Sequence, residues 1–424
     1  MTARRIRAVF AFVLLAGVLG ICPAMTVKTV LAEESLAETD MVAVEDSAAD
    51  DSATGEDSAV FDPASYLNYT WDFDAVSSVS TDEGYTYVQD TDALMAFNYD
   101  EYKAVWNTDF GIQTSTYYEH TGLYGTDRHE LTYAEGDLAL CFETLVQLPV
   151  TLDESGDLGN PQAMCVSSDG SLIYIAYPYG HGYGPHVQGR IVKYDLDALR
   201  ELGATEDDMS TFSLGVKNGV SQWLECMTIG PVIAMGHGQC MALDPSTDEL
   251  WLSTRAKSTY SDLTRIDTET LEPVRQIQFS VGTIEFGSVL AFDECGNFYY
   301  VKRAAVMWGS SPVGALRIYQ GRISTDEDKV LIRMLPESVA NPASTMLQAV
   351  AWDTTSDTLY VVGDSALLSV DMRSAVQGTL TAEGSKTELL SPIREFEGMA
   401  FDAEGTIYLL ANRQAEILTA RQDQ

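Results

Sequence analysis

Five stretches of the chain repeat one alternation of apolar and polar positions. They are "QAMCVSSDGSLIYIAY" from Gln162, "QCMALDPSTDELWLST" from Gln239, "SVLAFDECGNFYYVK" from Ser288, "QAVAWDTTSDTLYVVG" from Gln348 and "EGMAFDAEGTIYLLAN" from Glu397. Each sets a short apolar run, then a turn of Asp, Ser and Gly, then a run in which apolar and aromatic residues alternate. Period-two runs separated by turn chemistry predict β-hairpins and meanders. Further strand-like runs follow most copies, among them "GRIVKYDL", "LTRIDT" and "ALRIYQGRI". The turn aspartates Asp244, Asp293, Asp353 and Asp402 recur at intervals of 49, 60 and 49 residues. A β unit recurring at that period points to an all-β protein, a β-propeller of five to seven blades. The repeat is too long for a β-solenoid.

A degenerate sixth copy is expected from "LMAFNYDEYKAVW" at Leu94, and a strand from the region between Tyr66 and Asp90 is expected to close the ring. Helical periodicity is convincing only in "DLDALRELG" from Asp195. The turn aspartates read as structural, because Asp at such a turn accepts hydrogen bonds from the backbone beyond it.

In a propeller the innermost strand starts on one face, and the loop between the second and third strands returns to that face. Five positions before each turn residue stand Gln162, Gln239, Ser288, Gln348 and Glu397, which should ring the mouth of the central channel. The loop "YPYGHGYGPH", residues 177–186, should share that face with "GHGQ", residues 236–239, of the neighbouring blade. The expected ligand-binding set is this ring with Tyr177, Tyr179, His181, Tyr183, His186, His237, Trp308 and Arg413. Amides offer paired donors and acceptors and aromatics offer flat apolar area with a polar tip, which suits a hydroxyl-rich or peptide-like ligand.

The N-terminus adds an address. Arg4, Arg5 and Arg7 precede an apolar run up to Cys22 and the small-residue site "VLA" ending at Ala32, the order of a secretory signal peptide over residues 1–32. The run is shorter than the roughly 20 residues of a membrane span. Residues 33–62 are Ser, Ala, Asp and Glu with almost no aromatics and are expected to be a disordered acidic leader. Residues 63–424 are then the propeller domain of a secreted protein. The formal net charge of −38 argues against nucleic acid and anionic membranes as partners, since both need a cationic face. Past Cys22, five cysteines at irregular spacing make neither a disulfide framework nor a metal clip, and most should be buried small hydrophobes.

No cofactor is expected. Zinc on His181, His186 and His237, and calcium at Glu397, are the metal alternatives; a His-x4-His in a glycine-rich loop is a weak signal for the first. No nucleophile triad, phosphate loop or dinucleotide fingerprint is present, so enzymatic activity is not the leading expectation.

"MGHGQCMALDPSTDELWLST" (residues 235–254) and "REFEGMAFDAEGTIYLLANRQAEIL" (residues 394–418) resemble the helveticin J family of large class III bacteriocins. The resemblance extends from about Gln162 to the C-terminus. It implies a secreted antibacterial protein acting on the envelope of competing cells, and it supplies no catalytic residues. The acidic balance departs from a direct attack on anionic envelopes and favours a neutral glycan or a surface receptor as partner. Two other readings stand beside it: a metal-assisted lactonase, esterase or lyase centred on Glu397 and His237, and a non-catalytic surface scaffold.

Overall fold

Each repeat folds into an innermost strand, a tight turn and a second strand, and two further strands complete an antiparallel sheet. The computed structural model describes residues 69–75, 78–80, 86–89, 102–106, 127–152, 156–180, 187–206, 208–254, 260–280, 289–325, 329–342 and 346–421. Blade 1 runs outward from Ala163–Val166 through Leu172–Pro178 and Gln188–Asp195 to Met227–Ile229. Blade 2 is Met241–Asp244, Glu249–Ser253, Tyr260–Ile266 and Pro273–Ser280, and blade 3 is Leu290–Phe292, Asn297–Arg303, Leu316–Ile323 and Val330–Ala340. Blade 4 is Ala349–Asp353, Thr358–Gly363, Ala366–Asp371 and Ser385–Ser391. Blade 5 joins Phe396–Phe401, Ile407–Ala411 and Glu416–Ala420 to a strand from far earlier in the chain, Phe142–Gln147. The innermost strands pack on one another in a closed circuit from blade 1 to blade 5 and back. The protein is a β-propeller, with five blades among the described residues.

The blades are held together face to face by apolar side chains. Ala163, Cys165 and Ala176 of blade 1 meet Met241, Leu250 and Leu252 of blade 2. Between blades 3 and 4 the rings of Tyr299 and Trp352 stack at 5.1 Å with an interplanar angle of 4°. Burying one such large side chain contributes about 1.5–3 kcal/mol, so each interface rests on several of them.

Closure differs from the expectation. The strand that seals blade 5 is Phe142–Gln147, whose Phe142, Thr144 and Val146 turn buried side chains inward beside Glu416–Ala420. The region between Tyr66 and Asp90 instead gives two short strands, Ser78–Ser80 and Thr86–Gln89, and the second pairs in parallel with the outermost strand of blade 2. The expected sixth copy forms no blade among the described residues. Its end, Lys103–Trp106, lies parallel to the outer strand of blade 3, and residues 94–101 lie outside the described residues. Glu130–Gly136 then pairs with the outer strand of blade 4 and reaches the closing strand of blade 5. This part of the chain therefore runs round the circumference and covers sheet edges that would otherwise template aggregation.

The predicted helix is Leu196–Glu201, capped by the Asp195 carboxylate, which accepts from the Ala198 amide at 2.9 Å. Thr211–Lys217 and Ser221–Leu224 also form and bury Phe212, Val216 and Trp223 against blade 1. They are too short to show helical periodicity. Cys141, Cys165, Cys226 and Cys240 are buried, Cys295 is half-buried, and all five are free thiols. The signal peptide and acidic leader lie outside the described residues, as does the boundary at residue 63. No helix among the described residues is long and apolar enough to cross a membrane.

Candidate functional site at the ring end of the axis

Four of the five ring positions fall within the described residues, and the structure brings them together. The Gln162 amide donates to Glu397 Oε1 at 3.1 Å, and the Gln239 amide donates to Gln348 Oε1 at 2.7 Å and to Glu397 Oε2 at 3.5 Å. Gln348 in turn donates to Asp364 Oδ1 at 3.0 Å, and Asn412 donates to Glu397 Oε1 at 3.3 Å. Side chains from blades 1, 2, 4 and 5 thus form one hydrogen-bonded cluster. Ser288 lies outside the described residues.

The local backbone explains the convergence. The backbone N–H groups of Gln162 and Gln348 donate to Ala176 O and Val362 O, each at 2.9 Å, so each glutamine extends its innermost strand by one residue towards the axis. Glu397 sits in a register shift. Phe396 pairs with Ala411 and Gly398 with Leu410, which leaves Glu397 as the extra residue of a β-bulge. A bulge re-aims the side chain it carries. Gly398 allows the next step inward, because a Cβ there would meet the Met164 backbone nitrogen and Cβ at 3.0 Å.

Burial governs the electrostatics. Glu397 is 2% exposed, and burial with the neighbouring Glu395 carboxylate pushes its carboxyl up to about 8, against the pull of the Asn412, Gln239 and Gln162 donors. It therefore binds its proton more tightly than an exposed carboxyl does. Gln162 and Gln348 are also buried, whereas Gln239 is half-buried and is the most exposed of the four described ring members.

The two loops expected on this face do meet. Gly236 and Gly238 flank His237 with φ of +61° and +77°. A Cβ on Gly236 would lie 2.0 Å from Thr254 O, and one on Gly238 would lie 3.2 Å from Pro178 Cδ. Gly236 leaves no room for a Cβ, and at Gly238 a Cβ would be crowded at a strained positive φ. Gln239 and Tyr179 are therefore at the same end of the molecule. Tyr179 is exposed, with its hydroxyl accepting from Arg190 Nε, and His237 is half-buried. Tyr177 stands in the core of blade 1, bonded through its hydroxyl to Tyr194 at 2.7 Å, and so presents no surface. His181, Tyr183 and His186 lie outside the described residues. Trp308 packs beneath the Arg317 guanidinium at 3.5 Å from its ring centroid. Arg413 is exposed and pairs with Glu395, beside the ring. No group of three or more His, Cys, Asp or Glu among the described residues is arranged to hold a metal.

The turn aspartates lie at the opposite end and are structural. Asp293 accepts from the Cys295 and Asn297 amides, the Asn297 side chain and the Tyr299 hydroxyl, all at 2.8–3.0 Å. Asp402 does the same for Glu404, Thr406 and Tyr408.

Two features escaped the sequence. Asp364 anchors Gln348, yet it sits in a tight "GDS" turn that looks like any other hairpin. A buried ion pair also locks the closure: Arg394 Nη1 reaches Glu416 Oε1 at 2.6 Å, while Thr144 Oγ1 and His129 Nδ1 each lie 2.8 Å from Glu416 Oε2. The only hint was an arginine placed just before "EFEG" in a chain poor in cations.

Fold and site define the protein as far as a β-propeller. The propeller-like family described as SdiA-regulated matches residues 315–412, from blade 3 into blade 5 and under half of the chain. No curated protein matches the chain in sequence. Among solved structures it resembles a structural-genomics protein of unknown function from Bacteroides thetaiotaomicron VPI-5482, at 11% identity and TM-score 0.36 over 73% of this chain and 74% of that one. A luciferin-regenerating enzyme is similar at 12% identity and TM-score 0.31, covering 66% of this chain and 76% of that one. Kuenenia stuttgartiensis hydrazine synthase is similar at 11% identity and TM-score 0.30, covering 63% and 96%. Likenesses this loose carry no argument about function.

Proposed function

We propose that the protein is a secreted binding propeller whose ring end takes an uncharged, hydroxyl- or amide-rich ligand of a bacterial cell envelope, a glycan or a surface receptor. The observation that carries this reading is the convergence of Gln162, Gln239, Gln348 and Glu397 from four blades. The buried members orient the Gln239 amide, which stands beside His237, and the exposed Tyr179 and Arg413 border the same end. Oriented amides next to a flat aromatic suit sugar hydroxyls or peptide groups. The helveticin J-like motifs at residues 235–254 and 394–418 support the antibacterial form of the reading, in which the envelope belongs to a competitor.

The test is retention on isolated peptidoglycan and on whole bacteria, with and without chelator. Wild type should be retained in both conditions, and Gln239→Ala and Tyr179→Ala should each weaken retention about tenfold, the loss of a well-placed contact. Full retention of both variants would defeat the proposal.

One observation favours a second reading. A carboxyl pushed up to about 8 can serve as a general acid, so a hydrolase centred on Glu397 is the alternative. Lactone or ester hydrolysis that is abolished in Glu397→Gln, or stoichiometric calcium or zinc lost in that variant, would move the assignment there.

A further inference from the structure

The other end of the axis opens into a funnel of about 340 Å³, framed by the turns that follow the innermost strands. Its wall includes Met164, Met241 and Met399 from blades 1, 2 and 5, with the rings of Phe292, Trp352 and Phe401 from blades 3, 4 and 5. Methionine is unbranched and polarisable and adapts to an inserted chain, while aromatic faces attract cations. The volume falls within the range of small-molecule sites, which are apolar with a few placed polar groups. Glu294 lies in the lining and accepts from Trp352 Nε1 at 3.0 Å.

The charged side chains within the framing turns are all acidic. The framing turns, residues 167–171, 244–249, 293–297, 353–358 and 402–406, each contain Asp or Glu, and none contains Lys, Arg or His. Asp357 Oδ1 is buried and receives no hydrogen bond among the described residues, and its charge acts on Glu294. Arginines reach these turns from outside, among them Arg265 to Glu249 and Arg322 to the Cys295 carbonyl.

We propose that the funnel is a binding site for an amphipathic organic cation, with its apolar tail among Met164, Met241 and Met399 and its cationic head at the acidic rim beside Glu294. The site is independent of the ring end, and nothing in the proposal requires the ring to bind.

The experiment is calorimetric titration of the full mature chain with decyltrimethylammonium, decyl maltoside and decyl sulfate, each below its micelle concentration. The cation should bind with a stoichiometry of one, at least about tenfold tighter than the neutral and anionic probes at low salt. Met241→Phe and Met399→Phe fill the funnel from different blades, and each should weaken the cation about tenfold or more. Melting curves identify a variant that fails to fold, in which case the other decides. Glu294→Gln should narrow the gap between the cationic and neutral probes, and Tyr179→Ala, at the far end, should leave the affinity for the cation unchanged. Equal affinity for the three probes would overturn the assignment of charge. Binding at many sites per chain, or binding that both filled variants retain, would overturn the funnel as the site, as would no binding at all.

Discussion

Replacing Arg394 with alanine should loosen the closure of the propeller more than any surface change. Arg394 is 1% exposed, and its guanidinium meets Glu416 at 2.6 Å and the Gln414 carbonyl at 3.1 Å. Glu416 opens the strand that pairs with the closing strand Phe142–Gln147 and has no exposed surface. Removing one partner of a buried pair leaves a charge without compensation, at a cost of about 3–5 kcal/mol. The pH dependence has a definite sign. Burial raises the Glu416 carboxyl, but the His129 hydrogen bond and the Arg394 charge outweigh it, and the net direction is below the usual 4.5. Its stabilising contribution is therefore present above that value and is lost as pH falls through the lowered one. Without Arg394 the carboxyl should take up a proton more readily, so the cost of the substitution should shrink between pH 7 and pH 4. Urea denaturation at both values measures it, with Arg394→Met/Glu416→Leu as the control that removes both charges and recovers much of the loss. A penalty below about 1 kcal/mol at pH 7, or one that does not change with pH, would refute the reasoning.

Three further outcomes follow from the geometry. Asp293→Ala removes the acceptor of four donors, three of them buried, and should cost about 3 kcal/mol or more, whereas Asp169→Ala, at an exposed turn, should stay within about 1 kcal/mol, both read by chemical denaturation. Gly236→Ala sets a Cβ against Thr254 O at a positive φ and should lower the melting temperature by several degrees, with about 2 kcal/mol or more lost, while Ala at exposed Gly180 meets no neighbour and should cost less. Thiol labelling of the native chain should modify Cys295 first and leave Cys141, Cys165, Cys226 and Cys240 protected until unfolding, which mass spectrometry of timed samples reads directly.

The parts of this structure that were legible are those set by local rules. Alternation placed the innermost strands, and the turn aspartates proved to accept backbone hydrogen bonds as Asp at a turn should. The convergence of Gln162, Gln239, Gln348 and Glu397 followed from applying one register to the repeats, since a two-residue side-chain period leaves little freedom. What escaped depends on contacts distant in sequence. Nothing near Phe142 says that it will pair with Glu416–Ala420, and the strands at 86–89 and 103–106 are short enough to pass as loops. The bulge at Glu397 is also invisible locally, because it arises only when Phe396 and Gly398 are registered against Ala411 and Leu410. Tyr177 shows the reverse error of reading. It begins a conspicuous aromatic loop, yet it is the inward-facing residue near the end of its strand.

The central claim is that blades 1, 2 and 5 carry Gln162, Gln239 and Glu397 to one buried point on the axis. A carboxyl held there binds its proton more tightly in the folded chain than in the unfolded one, so stability should fall as pH climbs from about 4.5 to about 8. The most direct measurement is a carbon-13 pH titration of the Glu397 carboxyl, assigned by its absence in Glu397→Gln. The account predicts a midpoint near 8 in the folded protein. A midpoint at the ordinary 4.5 would place Glu397 in water, away from the amides, and the convergence would be wrong.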